Sequence, residues 1–166
     1  MFHKGLNYTG FDIAAGENVD VTGDAHRLSS HFPADKFDIV CSYSVFEHLL
    51  MPWVVAVEIN KVLKSGGLVM TQTHQSWPVH DEPWDYFRFS EHSWHSIFNK
   101  YSGFEILQSG MGERCFVVPS LCARQFYDLE HQLGYMSSVC LAQKISDTPL
   151  KWDANPDEII KTVYPA

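Results

Sequence analysis

The stretch from Lys36 to His74 constrains this chain more than any other, because it sets an apolar strand, a helix and a second apolar strand in succession. "KFDIVCSYSV" is nearly continuous in apolar and small residues, the pattern of a strand covered on both faces. From Pro52 the period changes: Pro52, Val54, Val55, Val57, Glu58, Ile59, Val62 and Leu63 follow helical spacing. Proline suits the first turn of that helix, and Gly66 and Gly67 are expected to stop it. "LVMTQTH" then reads as another buried strand. Strand, helix and strand within one crossover length of about 30 residues form a parallel unit.

The flanking segments extend the same architecture. "YTGFDI" and "VDV" are shorter strands upstream. Downstream, His74 to Phe89 holds two prolines and the aromatic-rich "PWDYF" and reads as a long surface loop. Ser90 caps an expected helix over Glu91 to Tyr101, "FEILQSG" is a strand, Leu121 to Leu133 is helical in pattern and "MSSVCLAQK" is a last strand. Pro156 opens one short helix in the tail. No repeat or linker divides the 166 residues, so the expectation is one domain over 1–166, with its core at about 8–146 and a tail at 147–166. The expected fold is α/β, a mostly parallel sheet flanked by helices.

Charge and cysteine usage exclude several partners. With 12 Lys plus Arg against 20 Asp plus Glu the net charge is −8, and no basic cluster breaks that balance, which argues against nucleic acid. No run of eighteen apolar residues and no leader-like N-terminus is present, so no membrane partner and a cytoplasmic location are expected. Cys41, Cys115, Cys122 and Cys140 are widely spaced, without a CxxC pair, and read as reduced, mostly buried thiols.

In open parallel sheets ligands sit at the carboxyl ends of the strands, which here carry Asp12, then Asp24 and Ala25, then Ser42 to His48, then Thr73 to His80. A carboxylate at the end of a strand can accept both hydroxyls of a ribose; its ordinary role there is as a turn former or helix cap. The succession "YTGFDI … VDVTGDAHRL … FDIVCSYSVFEHL … EINKVLKSGGLVMTQTH … DYFRFS" resembles the class I S-adenosylmethionine-dependent methyltransferases, in their type 11-like small-molecule branch. The resemblance runs from about Tyr8 to Gly110 and implies a Rossmann-like fold with S-adenosylmethionine as cofactor and S-adenosylhomocysteine as product. It implies that Asp12 holds the ribose, that Asp24 and Ala25 contact the adenine, and that Ser42 and Ser44 flank the methionine part.

One family element has no counterpart in the sequence. The family opens with a strand and a GxGxG loop, whereas "HKGLNYTG" offers only Gly5 and Gly10, neither after a strand. In the family that strand lies between the second and the fourth, so without it the sheet has a gap of about 9.6 Å, two strand spacings. Three outcomes follow: direct closure of the sheet, pairing with another copy as a homo-oligomer, or a truncated N-terminus that a longer reading frame would complete.

The residues suited to chemistry lie after the later strands. His80 and His48 are the candidate catalytic groups, able to take a proton from an acceptor hydroxyl. His74, Trp77, Trp84 and Tyr86 are candidate substrate contacts, since aromatic faces attract a sulfonium. Arg88 is expected to pair with Asp85 or Glu91 at the surface. No metal is expected: some methyltransferases hold one through ExxEH, and Ser44 stands where the first acid would be. The expected activity is methyl transfer to a small-molecule or sugar acceptor. The alternative is a non-catalytic methyltransferase-like domain, or a fragment, that acts as an oligomeric or partner subunit.

Overall fold

A computed structural model describes residues 7–120, 132–152 and 155–159. In chain order the elements are β1 (Phe11–Asp12), β2 (Val21–Thr22), a 3₁₀ turn (Ala25–Arg27), α1 (Leu28–His31), β3 (Phe37–Tyr43) and a second 3₁₀ turn (Phe46–His48). They continue with α2 (Pro52–Val62), β4 (Leu63–His74), α3 (Trp94–Ile97), β5 (Phe104–Phe116), β6 (Leu133–Lys144) and α4 (Pro156–Ile159). The β3–α2–β4 unit is the parallel crossover expected from the sequence, with Val40 opposite Val69 and Ser42 opposite Thr71.

The sheet is mixed where a mostly parallel one was expected. Its four strands run β3-β4-β6-β5, and both pairings of β6 are antiparallel. Among the described elements β6 comes next after β5, and the two pair antiparallel from Phe104 opposite Lys144 to Phe116 opposite Leu133. The pair β1–β2, parallel with Phe11 opposite Val21, forms a sheet of its own. The gap inferred from the sequence therefore stays open among the described residues, and Phe32 packs edge-on against both Phe11 and Phe37 across it.

Several element boundaries also differ from expectation. Leu63 turns extended at the end of α2, so Gly66 and Gly67 lie inside β4 and do not stop the helix. The helix expected over Glu91 to Tyr101 shortens to α3, because Asn99 diverts the chain: its Oδ1 accepts from Tyr101 N–H at 3.0 Å and its Nδ2 donates to the His95 carbonyl at 3.2 Å. Gly103 then turns at φ +83°, where a Cβ would meet the Ser146 carbonyl oxygen at 2.3 Å. The helix expected over Leu121 to Leu133 falls largely outside the described residues; its last position, Leu133, begins β6. β3 is not covered on both faces: Ile39 and Tyr43 are more than half exposed, and Cys41 is exposed too, so only Cys140 among the described cysteines is a buried thiol.

The covered face of the sheet is held by an aromatic core. Trp94 is fully buried, stacked on Phe89 at 4.9 Å and edge-on to Phe46 at 5.4 Å, and its Nε1 donates to Ser138 Oγ on β6 at 2.7 Å. The end of α2 is fastened by two buried polar residues. Asn60 Nδ2 donates to the carbonyls of Ser102 and Ser146, while Lys144 Nζ donates to the carbonyls of Asn60 and Leu63 and pairs with Asp147 at 2.8 Å. These bonds satisfy groups that a helix terminus leaves without partners. The aromatic core fixes Phe46 and Phe89 and thereby the segments that carry Glu47 and His74.

Candidate functional site

Two groups of side chains gather beyond the carboxyl ends of the parallel strands. The first lies at the ends of β1, β2 and β3. Asp12 closes β1; its Oδ1 accepts from Ala14 N–H at 2.9 Å and its carbonyl accepts from Gly23 N–H, which ties the ends of β1 and β2 together. Its Oδ2 makes no hydrogen bond among the described residues and remains available as an acceptor.

Asp24 caps the 3₁₀ turn, with Oδ1 accepting from His26 N–H at 2.9 Å and from His26 Nδ1 at 2.6 Å. The tautomer is set from the other side, because Met51 N–H donates to His26 Nε2 at 3.1 Å and leaves Nδ1 as the protonated nitrogen. Burial pushes the Asp24 carboxyl up, but the hydrogen bonds from His26 and the positive charge of Arg27 outweigh it and hold the group below the ordinary range. Thus "GDAH" is first a cap that locks the β2 end to the loop before α2, a role for His26 that the sequence reading missed. Ala25 packs its methyl against the core. Ser42 Oγ is buried without a hydrogen-bond partner, and Ser44 sits in the left-handed region at φ 49° with its N–H on the Gln72 carbonyl at 2.9 Å.

The second group lies beyond β3 and β4, and here the structure brings His48, His74 and His80 together. The rings of His48 and His80 meet edge to face at 4.8 Å, those of His74 and His80 at 5.4 Å, and Trp77 stacks on His74 at 4.8 Å. At the centre is Glu47, fully buried, with Oε2 accepting from Thr73 Oγ1 and Oε1 3.1 Å from His74 Nε2. Burial lowers the His74 pKa; the Glu47 carboxylate opposes this only in part, while His80, Arg88 and His48 reinforce it. The Glu47 carbonyl accepts from Tyr86 and Phe87 N–H, and His48 Nδ1 donates to the Trp84 carbonyl at 3.0 Å. The turn after β3 therefore orders the long loop.

Asp85, absent from the sequence candidates for the site, orders His80. Its Oδ2 accepts from His80 N–H at 2.9 Å and lies 3.2 Å from His80 Nδ1. Both carboxylate oxygens also bind Arg88, at 2.5 and 2.6 Å. The hydrogen bonds from Arg88 hold Asp85 well below the usual carboxylate range, and its side chain is 1 % exposed, so this pair is no loose surface contact. An open cavity of about 300 Å³ lies beside it, lined by Trp77, Val79, Asp85, Tyr86, Phe87 and Arg88. Of the candidate substrate residues, Trp77 and Tyr86 line this cavity, His74 lies behind Trp77, and Trp84 contributes its carbonyl to His48. The pairing of Arg88 with Asp85, one of the two partners expected from the sequence, is therefore present, but with the Asp85 carboxylate buried where a surface contact was expected.

A family model described as a methyltransferase domain matches residues 3–71. A S-adenosylmethionine-dependent methyltransferase from Archaeoglobus fulgidus superposes with a TM-score of 0.62 at 15% identity, over 84% of this chain and 77% of that one. A Bacillus halodurans protein classed with the methyltransferases gives 0.60 at 15% identity, over 82% of each chain. One from Methanosarcina mazei gives 0.53 at 18% identity, over 82% of this chain and 81% of that one. No curated protein matches the sequence. At such identities the structural likeness establishes the fold, which is that of the class I S-adenosylmethionine-dependent methyltransferases. The matching methyltransferase-domain model spans fewer than half of the 166 residues.

Proposed function

We propose that this chain transfers a methyl group from S-adenosylmethionine to a small-molecule or sugar acceptor. The observation that carries the reading is the set of acceptors at the strand ends: Asp12 Oδ2 and the buried Ser42 Oγ, neither with a hydrogen-bond partner among the described residues, and Asp24 Oδ2 beside its capped Oδ1. These suit the adenosine half of the cofactor, with Asp12 on the ribose hydroxyls and Asp24 and the Ala25 backbone at the adenine. Ser42 and Ser44 face the methionine part. Bound S-adenosylmethionine supplies a methyl group on a positively charged sulfur, already a good electrophile.

The chain's own residues then align, desolvate and deprotonate. Trp77 and Tyr86 form an aromatic wall over the acceptor. His80, with Nδ1–H held toward Asp85 and the Pro78 carbonyl, keeps its Nε2 lone pair for a proton from an acceptor hydroxyl; His48 is the second candidate base. Most of the rate arises from in-line positioning.

The test is calorimetric titration of the purified chain with S-adenosylmethionine and S-adenosylhomocysteine. Micromolar binding is expected, about −8 kcal/mol. No heat with either ligand at millimolar concentration contradicts the reading. One observation favours a second one: β1–β2 stands apart from the main sheet, as it would in a domain whose sheet is completed by another copy or another chain. In that case the chain acts as an oligomeric or partner subunit, and binding appears only in the assembled form.

A further inference from the structure

We propose that Glu47, His74 and His80 form a site for a divalent zinc ion at the carboxyl ends of β3 and β4. The three offer one carboxylate oxygen and two imidazole nitrogens, all within 4.8 Å of one another. In a tetrahedral site with bonds near 2.1 Å the donors stand about 3.4 Å apart. Glu47 Oε1 and His74 Nε2, at 3.1 Å, are already near that spacing, and the His80 donor lies within 4.8 Å of both.

The independent observation is Glu47 itself. Its carboxylate is fully buried, Thr73 occupies Oε2, and Oε1 accepts no hydrogen bond. A buried carboxylate oxygen that accepts no hydrogen bond is costly, and a cation bound to it removes that cost. His80 is prepared as a ligand in the same way that metal-binding histidines commonly are. Its Nδ1 faces two acceptors, Asp85 Oδ2 and the Pro78 carbonyl, so Nδ1 carries the proton and Nε2 the lone pair. Two imidazoles with one carboxylate suit zinc better than magnesium, which prefers oxygen donors, and three protein ligands leave a fourth position open. His48 and Asp81 form a second such group with His80.

Metal binding does not depend on the methyl-transfer reading; its consequence does. If that reading holds, a zinc-bound acceptor hydroxyl loses its proton more readily, with His80 serving as a ligand in place of a base.

The experiment uses the full chain after chelator treatment, titrated with Co²⁺ and followed by visible absorption, with Zn²⁺ competition and, separately, S-adenosylhomocysteine calorimetry. The expected result is one equivalent of Co²⁺ with d–d bands typical of a tetrahedral nitrogen and oxygen site, displaced by Zn²⁺. His80→Asn, in the partly exposed loop, should weaken binding by more than about 100-fold while its circular dichroism stays native, and Glu47→Gln should do the same if it folds. No binding, binding unchanged in His80→Asn, or a sulfur-to-cobalt charge-transfer band overturns the proposal. Cobalt binding without S-adenosylhomocysteine binding leaves the metal site standing and defeats the methyl-transfer reading; the reverse defeats only the metal site.

Discussion

Trp94→Ala is expected to cost about 3–5 kcal/mol of folding stability, the largest loss from any single truncation in this core. The indole has no exposed surface, stacks on Phe89, meets Phe46 edge-on and donates to Ser138 Oγ on β6. Truncation leaves a cavity lined by aromatic faces that cannot collapse far, and leaves Ser138 without its donor. For a chain of this length the loss lowers Tm by on the order of 10 °C. Urea unfolding of the variant measures it, and a loss under about 1 kcal/mol would mean that the aromatic stack is not the centre of the fold. Trp94→Phe keeps one aromatic ring in the stack but loses the Nε1 bond and leaves a smaller cavity, so it should cost less than the alanine change, about 1–3 kcal/mol. The functional relevance is direct: Phe46 precedes Glu47, and Phe89 N–H donates to the His74 carbonyl at 2.9 Å, so the core that Trp94 fills also sets the second group of site residues.

Asp12→Ala is expected to weaken S-adenosylmethionine binding by at least about 100-fold while leaving the fold intact. A carboxylate accepting two ribose hydroxyls makes two charge-assisted bonds of about 1.5–3 kcal/mol each, and 1.4 kcal/mol is one factor of ten. The structural cost of the change is small, because Asp12 is exposed and its Oδ1 holds only the Ala14 N–H in a local turn. Calorimetry on the variant, with circular dichroism as the control for folding, separates the two. Unchanged affinity in a folded variant would show that the ribose is held elsewhere or that no ribose is held at all.

The crossover at Lys36 to His74 was legible because its period, its proline and its length all point the same way. The orientation of β6 was not, since an apolar strand carries no mark of its direction, and neither was the exposure of Ile39 and Tyr43. Asn99 shortened α3 through side-chain bonds to the neighbouring backbone of His95 and Tyr101, a competition that helical periodicity does not register. At the site, the strand-end positions of Asp12, Asp24 and Ser42 could be read from the motif order. The Asp85–Arg88 pair was among those expected, whereas the Met51 bond that fixes His26 against Asp24, the burial of Glu47 and that of Asp85 required knowing which segments meet in space. The histidines of the two later segments were chosen one by one from sequence, yet their convergence around one buried carboxylate is a tertiary fact.

The central claim is that the carboxyl ends of β1, β2 and β3 hold the adenosine and methionine parts of S-adenosylmethionine. It is tested most directly by mapping amide chemical-shift changes in the isotope-labelled protein on addition of S-adenosylhomocysteine. The account predicts saturable shifts concentrated at Asp12, Asp24, Ala25, Ser42 and Ser44. Saturable shifts that leave these five residues unmoved, or no shifts at all at millimolar ligand, would contradict it.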